Sequence, residues 1–200
     1  AEDWLNKDKL ASYIKRLTKK LIPKAMPDGT GKIEFKQLSA FTTENYMTHP
    51  ISGEYSKYFI KDDLFAGGDY FLKSIAEIFI NNGYDVTVSE CTMPHNSTFE
   101  HLIVEQLGLV FITGNFFNGL VPENENIINF SRFYDKEMYS NKKQRINFDK
   151  KASLELAKEA SVCLKTALDI HDELEKFYIN AIDFESLNHF TAEFIESLKK

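Results

Sequence analysis

The sequence has few cysteines and no long apolar run, and each scarcity excludes a class of protein. The two cysteines, Cys91 and Cys163, make neither a metal-binding spacing nor a disulfide framework, so a reducing cytoplasm is the compartment we expect. The longest apolar stretches, such as residues 107–113, are far shorter than the roughly 20 residues of a membrane span. No signal peptide is visible, and we expect no membrane partner.

Positive charge is also scarce, which argues against nucleic acid as a partner. The 200 residues include 24 Lys and Arg against 30 Asp and Glu, a net charge of −6. Residues 1–36 carry nine Lys and Arg against five Asp and Glu, a net charge of +4. Residues 1–30 are therefore predicted to form a basic helical arm or linker, followed by a domain over residues 31–200. Hydrophobic residues make up 43%, enough for one sizeable core.

The order of the predicted segments indicates an α/β fold. Apolar spacing predicts a helix over residues 3–21, and alternation predicts an edge strand over 33–41. A strand at 57–61, a glycine-containing loop at 62–69, a helix ending near Gly83 and a strand at 84–90 then form a βαβ unit. The apolar residues 107–113 predict a buried strand, and 126–130 another.

Two further helices are predicted near the end of the chain. A stripe with alternating steps of four and three places Cys163 on a buried helix face, where it would be an inert packing residue. The stripe consists of Leu156, Ala160, Cys163, Ala167, Ile170, Leu174 and Phe177. Asp149 is the expected N-cap of this helix, and a last helix begins near Phe184.

The loop between the first strand and helix of the βαβ unit lies where α/β proteins bind phosphate. Its eight residues read DDLFAGGD, from Asp62 to Asp69. The stretch around it, with GYDV at 83–86, LGLVFITGN at 107–115 and NIINFSRFYDKE at 126–137, resembles a bacterial family of ATP-binding proteins with two tandem P-loop halves. The resemblance covers residues 33–190. It implies a three-layer P-loop NTPase-like fold, with a mostly parallel sheet and flanking helices.

The loop departs from that family at each residue that the NTPase chemistry needs. Gly68 occupies the position of the family's phosphate-binding lysine, and Asp69 that of the residue whose hydroxyl binds Mg²⁺. Thr113 occupies the position of the acidic residue at the end of the Walker B strand. Asp62 and Asp63 add negative charge where a polyphosphate would sit. A plain strand-to-helix turn using Gly67 and Gly68 is the favoured interpretation, ahead of a nucleotide site and of a divalent-cation site made by the three aspartates.

Two other groups of polar residues are candidates for chemistry. One helix face carries His171, Glu175 and Tyr178, and its His and Glu could share a metal or a proton. The favoured interpretation is a His–Glu contact within the helix. Cys91 and His95 could form half of a metal site or a nucleophile pair. The simpler interpretation of this segment is a turn followed by a helix N-cap. His101 is expected to be a partly buried core residue. Motifs of serine hydrolases, zincins and dinucleotide-binding proteins are missing.

These observations favour a catalytically silent P-loop NTPase-like module that regulates or scaffolds through an interface. Its partner would be a second P-loop half or another copy of the chain. We expect no cofactor, and ATP with Mg²⁺ only if the loop has kept its function. The alternative is an enzyme of another class that binds a non-phosphorylated or cationic small molecule in a cleft rebuilt from Asp62, Asp63, Asp69 and Thr113.

Overall fold

The protein's structure, a computed structural model, describes residues 2–24, 28–93, 97–122 and 126–199. A six-stranded, mostly parallel sheet is flanked by helices, and a two-stranded antiparallel sheet lies beside it. The helices are α1 (Lys7–Leu21), α2 (Gly67–Asn81), α3 (Lys136–Ile179) and α4 (Phe184–Leu198). The strands are β1 (Ile33–Phe35), β2 (Ser39–Phe41), β3 (Tyr46–Thr48), β4 (Ser56–Lys61), β5 (Val86–Glu90), β6 (Phe99–Val104), β7 (Leu109–Gly114) and β8 (Asn126–Asn129).

The larger sheet has the strand order β1-β5-β6-β7-β4-β8, and β6 alone runs antiparallel to its neighbours. The carboxyl ends of the other five strands therefore meet the beginning of β6 at one edge, which we call the carboxyl edge. The strands β4 and β5, which α2 connects, are parallel but not adjacent, because β7 and β6 lie between them. The predicted α/β class is confirmed.

The core forms where α2 covers one face of the sheet. The side chains of Phe71, Leu72, Ile75 and Phe79 are fully buried. Burial of one such side chain contributes about 1.5–3 kcal/mol. Gly83 follows the helix with φ = 84°, a conformation that suits glycine at a helix C-terminus.

The helix α1 packs against α2 in the same core. Leu10, Ile14 and Leu17 are buried, and Asn6 caps the helix by accepting a hydrogen bond from the Lys9 backbone N–H at 2.9 Å. The helical part of residues 1–30 is therefore attached to the domain through its apolar stripe, while its basic side chains are exposed.

Three predicted boundaries are corrected by the structure. The strand predicted over 33–41 is divided: β1 is the edge strand of the larger sheet, whereas β2 pairs with β3. The segment after Cys91 leads into β6 and not into a helix. The helix α3 begins at Lys136, with Asp135 rather than Asp149 as its N-cap, since Asp135 accepts hydrogen bonds from two backbone N–H groups of the first turn.

The structure also corrects the predicted burial of the α3 stripe. Only Ser161 is buried among the 44 residues of this helix, and Cys163 is exposed. The stripe residues do share one face, and all of them except the half-buried Ala160 are exposed. The apolar side of α4 is likewise exposed, including Phe190 and Phe194. Among the described helices, none combines the length and apolar character that a membrane span needs.

Candidate functional site

The loop between β4 and α2 lies at the carboxyl edge and closes tightly against the end of β8. Gly67, the first residue of α2, is buried, and a Cβ atom there would lie 2.5 Å from the Phe130 ring. Glycine at this position therefore allows the helix N-terminus to approach the 3₁₀ turn Phe130–Phe133 that follows β8.

The side chain of Asp62 fills the inside of this loop. Asp62 is 1% exposed, and its Oδ2 accepts hydrogen bonds from the backbone N–H groups of Gly67 at 2.9 Å and Gly68 at 2.8 Å. Its Oδ1 accepts from the Leu64 N–H at 3.1 Å. These N–H groups at the helix N-terminus form the kind of site that binds a phosphate in α/β proteins. Here the protein's own carboxyl group takes their hydrogen bonds.

Tyr134 completes the environment of Asp62. Its hydroxyl donates to the Asp62 carboxyl oxygens at 2.9 and 3.1 Å and accepts from the Gly67 N–H at 2.7 Å. Burial raises the pKa of Asp62 above its usual value, while the hydrogen bonds from Gly68, Tyr134, Leu64 and Gly67 oppose that rise. Burial together with the adjacent Asp62 carboxyl group raises the pKa of Tyr134. The hydroxyl therefore keeps its proton and can donate a hydrogen bond to Asp62.

The other two aspartates of the loop point to different partners. Asp63 is half-exposed and lies 3.8 Å from Lys150 of α3. Asp69, in the first turn of α2, accepts from the Phe99 N–H at 2.7 Å and pairs with Lys73 at 2.9 Å. Because each carboxylate has its own donors, the arrangement does not resemble three oxygen ligands around one cation.

Gly68 belongs to this loop, and Thr113 lines the same cavity as Gly68. A Cβ atom on Gly68 would meet Asp62 Oδ2 at 3.5 Å, an ordinary contact distance. Thr113, near the end of β7, is 7% exposed, and its Oγ1 has no hydrogen-bond partner among the described residues. The loop therefore contains no lysine or hydroxyl for a nucleotide, and the neighbouring strand ends without a carboxylate for a metal.

A cavity of about 340 Å³ opens at the carboxyl edge beside the first turn of α2. Polar groups and aromatic rings from several elements line it. Its lining comprises Asp62, Phe65, Gly68, Asp69, Cys91, Met93, Thr98, Phe99, Glu100, Thr113, Asn115 and Phe117. We call it the carboxyl-edge pocket. Of the residues that the sequence suggested for a rebuilt cleft, Asp62, Asp69 and Thr113 line this pocket, whereas Asp63 does not.

A buried polar cluster between β6 and the β2–β3 sheet was missed at the sequence level. His101 is fully buried; its Nδ1 accepts from the Thr113 N–H at 3.2 Å, and its Nε2 lies 3.3 Å from Ser39 Oγ. Ser39 Oγ also lies 3.0 Å from Thr48 Oγ1. Burial lowers the pKa of His101 to about 3, so the ring is neutral and carries its proton on Nε2. The side of the ring that faces Ser39 therefore donates a hydrogen bond and cannot act as a base for a serine nucleophile.

Glu100 belongs to both the polar cluster and the carboxyl-edge pocket. Its carboxyl group is buried and accepts from the Tyr46 hydroxyl at 3.0 Å and the Asn118 amide at 3.3 Å. Burial raises the pKa of Glu100, and these hydrogen bonds oppose the rise. The neighbouring Cys91 is half-buried, and burial raises the pKa of its thiol, which disfavours a reactive thiolate. His95, its suggested partner, lies outside the described residues.

The polar group on α3 has the local contact that its spacing predicts. His171 Nδ1 lies 3.6 Å from Glu175 Oε1, and one ligand atom each of His171, Asp172 and Glu175 could be placed around a metal, within 4.8 Å of one another. All three side chains are exposed on one helix, and Tyr178 is also exposed. This arrangement is common without a metal and is remote in sequence from the loop.

The comparisons with known proteins add no relative to this picture. No protein-family model, curated protein or solved structure matches the chain. Inferences about its function therefore rest on the site geometry described above.

Proposed function

We propose that this chain is a catalytically silent, P-loop NTPase-like module that acts through an interface, by pairing its α3 helix with that of a second copy. The observation that carries the silent part is the position of Asp62. A phosphate needs the N–H groups of Gly67 and Gly68, and the Asp62 carboxyl group already accepts both hydrogen bonds. The loss of the nucleotide lysine, hydroxyl and Walker B carboxylate at Gly68, Asp69 and Thr113 supports the same proposal.

The exposure of α3 supports the interface. This helix has 44 residues and would be about 66 Å long. Its stripe from Leu156 to Phe177 has the 3.5-residue spacing of helices that pair with other helices, and Leu156 and Phe177 are 71% and 77% exposed. An exposed apolar stripe of this length is characteristic of an interaction surface.

A second copy of the chain fits the stripe better than α4 does. The stripe is about 32 Å long, whereas the 15 residues of α4 span about 22 Å. Two α3 helices match in length and spacing, and a twofold pair uses the same surface on both copies. The glutamates beside the stripe favour a parallel pair. In parallel pairing, Glu159 lies opposite Leu164 of the other copy, and Glu173 lies opposite Tyr178. Antiparallel pairing would instead place glutamates opposite glutamates, where they repel each other.

Light scattering after size-exclusion chromatography tests the pairing on the full chain. We expect a dimer, and we expect Leu174→Lys to make it a monomer, because a charge would then enter the stripe. Phe148→Lys is the matched control, since Phe148 is exposed on the same helix but outside the stripe. A monomeric wild type, or equal effects of the two substitutions, would contradict the pairing and leave a second P-loop half as the partner to seek.

Disulfide trapping tests the orientation of the pair. In a parallel, in-register pair the two Cys163 side chains meet across the interface, within the Cα separation of about 4.4–6.8 Å that a disulfide needs. Mild oxidation should therefore link two copies through Cys163, and Cys163→Ser should abolish the link while leaving Cys91 in place. A dimer that does not crosslink at Cys163 would refute the parallel arrangement.

Calorimetric titration tests the silent loop separately. Neither ATP nor GTP with Mg²⁺ should give saturable heat at millimolar concentration, because the loop N–H groups already have their acceptor. A dissociation constant in the micromolar range would show that nucleotide displaces Asp62, and the silent-module proposal would then be wrong.

A further inference from the structure

The carboxyl-edge pocket has acidic lining and contains no basic residue among its described lining residues. All three carboxyl groups accept hydrogen bonds from donors within the protein, and Asp69 also pairs with Lys73. Glu100 accepts from the Tyr46 hydroxyl and the Asn118 amide, and the basic group nearest to it among the described residues is the neutral His101 ring at 3.7 Å. Glu100 is thus a buried, hydrogen-bonded carboxyl group that lines the pocket without a cation to balance its charge when it is ionised.

Thr113 provides a second and independent sign of a missing ligand. Its side chain is nine-tenths buried and lines the pocket, and its Oγ1 lacks a hydrogen-bond partner among the described residues. A buried hydroxyl of this kind costs about 1–3 kcal/mol if it stays unpaired. Because Oγ1 is itself buried, a group in the pocket would reach it only after the Thr113 side chain turns toward the pocket, and the hydrogen bond formed then would remove this cost.

Three phenylalanine rings form part of the remaining walls. Phe65 and Phe117 lie with their ring centroids 5.7 Å apart, whereas the Phe99 ring already has Lys73 Nζ 5.4 Å from its centroid, so Phe65 and Phe117 are the rings left for a ligand. Phe65 is the one non-glycine residue with positive φ in the part of the chain that the structure describes, at 61°. Aromatic faces beside carboxylates attract organic cations through both charge and ring electrostatics.

We propose that the carboxyl-edge pocket binds a small organic cation, with its ammonium or amidinium group at Glu100, a hydrogen bond to Thr113 Oγ1, and an apolar body against the phenylalanine rings. The volume of about 340 Å³ is at the lower end of ligand pockets and suits a molecule of one or two rings. This inference does not depend on pairing of α3, and either proposal can fail without the other.

Three probes of the same shape and different charge test the proposal. Titration calorimetry and thermal shift would be measured with 2-phenylethylamine, which is cationic, with neutral 2-phenylethanol and with anionic 3-phenylpropanoate; benzamidine serves as a second cation. We expect saturable binding of a cation and at least tenfold weaker binding of the alcohol and the acid. Equal binding of amine and alcohol, or no saturable binding of either cation up to about 10 mM, would overturn the proposal.

Two nearly isosteric variants locate the bound cation. Glu100→Gln keeps an acceptor for Tyr46 and should weaken amine binding at least tenfold; Glu77→Gln, an exposed site on α2, removes the same charge as a control. Thr113→Val should weaken binding about fivefold without lowering the melting temperature of the free protein, since its hydroxyl has no partner to lose. Unchanged amine affinity in both pocket variants would refute the site.

Discussion

The role of Asp62 as the hydrogen-bond acceptor inside the loop leads to a prediction about its replacement by alanine. In Asp62→Ala the N–H groups of Gly68 and Leu64 and the Tyr134 hydroxyl lose their acceptor inside the loop, whereas the Gly67 N–H keeps Tyr134. The Leu64 N–H is half-buried and can turn to water, but leaving the two buried donors unpaired costs about 1–3 kcal/mol each. We expect the free energy of unfolding to fall by about 3 kcal/mol.

Small anions should restore part of that stability. Formate has the same carboxylate as the missing side chain and can accept from the vacated N–H groups at the helix N-terminus. With a dissociation constant near 10 mM, about 100 mM formate would return roughly 1.4 kcal/mol. The measurement is urea unfolding of wild type and Asp62→Ala at constant pH and ionic strength, with chloride exchanged for formate.

The neighbouring Asp63 provides the matched control. It is half-exposed, and its contact is an ion pair of 3.8 Å with Lys150, so Asp63→Ala should cost less than 1 kcal/mol and gain nothing from formate. Formate that stabilised wild type as much as Asp62→Ala would contradict the role of Asp62 as the acceptor for the loop donors. Equal decreases in the free energy of unfolding of the two alanine variants would contradict it as well.

Three further predictions concern the buried cluster and the loop. Because the pKa of His101 is about 3, the unfolded chain takes up its proton as pH falls below 6.5, and stability should decrease by roughly 1 kcal/mol per pH unit. His101→Gln should lose this slope in urea titrations from pH 6.5 to 4.5; an unchanged slope would contradict the buried neutral ring. Gly67→Ala should lower the melting temperature by several degrees, because its methyl group would press on Phe130; a wild-type melting curve would argue against this packing. The pair Gly68→Lys and Asp69→Ser should release no phosphate from ATP above background, since the loop N–H groups stay occupied, and turnover would contradict this.

The secondary structure could be predicted where the apolar residues make a clear pattern. The helix α2 has one apolar face, and the strands β4 and β7 contain short apolar runs; all three were confirmed. The strand β6 was missed, because the polar residues Glu100 and His101 are buried among its apolar ones, so that the segment shows neither alternation nor a continuous apolar run. The first part of α3 was missed for the opposite reason: its exposed residues have no apolar face to reveal the helix.

Cys163 illustrates what periodicity leaves open. The spacing of the stripe correctly groups its residues on one face of α3, yet it does not say whether that face meets the core or another molecule. The sequence alone favoured the core, and the structure leaves Cys163 exposed. The error turns a residue predicted to be inert into a probe of the proposed interface.

The position of the loop could be predicted from the sequence, but its contacts could not. A strand followed by glycines and a helix predicts a turn at the carboxyl edge, and the structure has that turn between β4 and α2. The partner Tyr134 lies 72 residues from Asp62 and reaches it only because β8 is placed beside β4. Contacts of this separation depend on strand order, which local patterns do not determine.

The position of Asp62 also changes the reason why a nucleotide should not bind. From the sequence, the aspartates act by repelling a polyphosphate, an effect of about 4 kcal/mol per contact at 4 Å that salt screens. In the structure Asp62 instead occupies the hydrogen-bond donors, and salt does not free them. Mg²⁺-ATP should therefore remain unbound in calorimetry at about 1 M NaCl, where the screening length is near 3 Å. If saturable binding emerged on raising the salt, repulsion by the exposed carboxylates would be the cause of silence, and occupation of the loop by Asp62 would not.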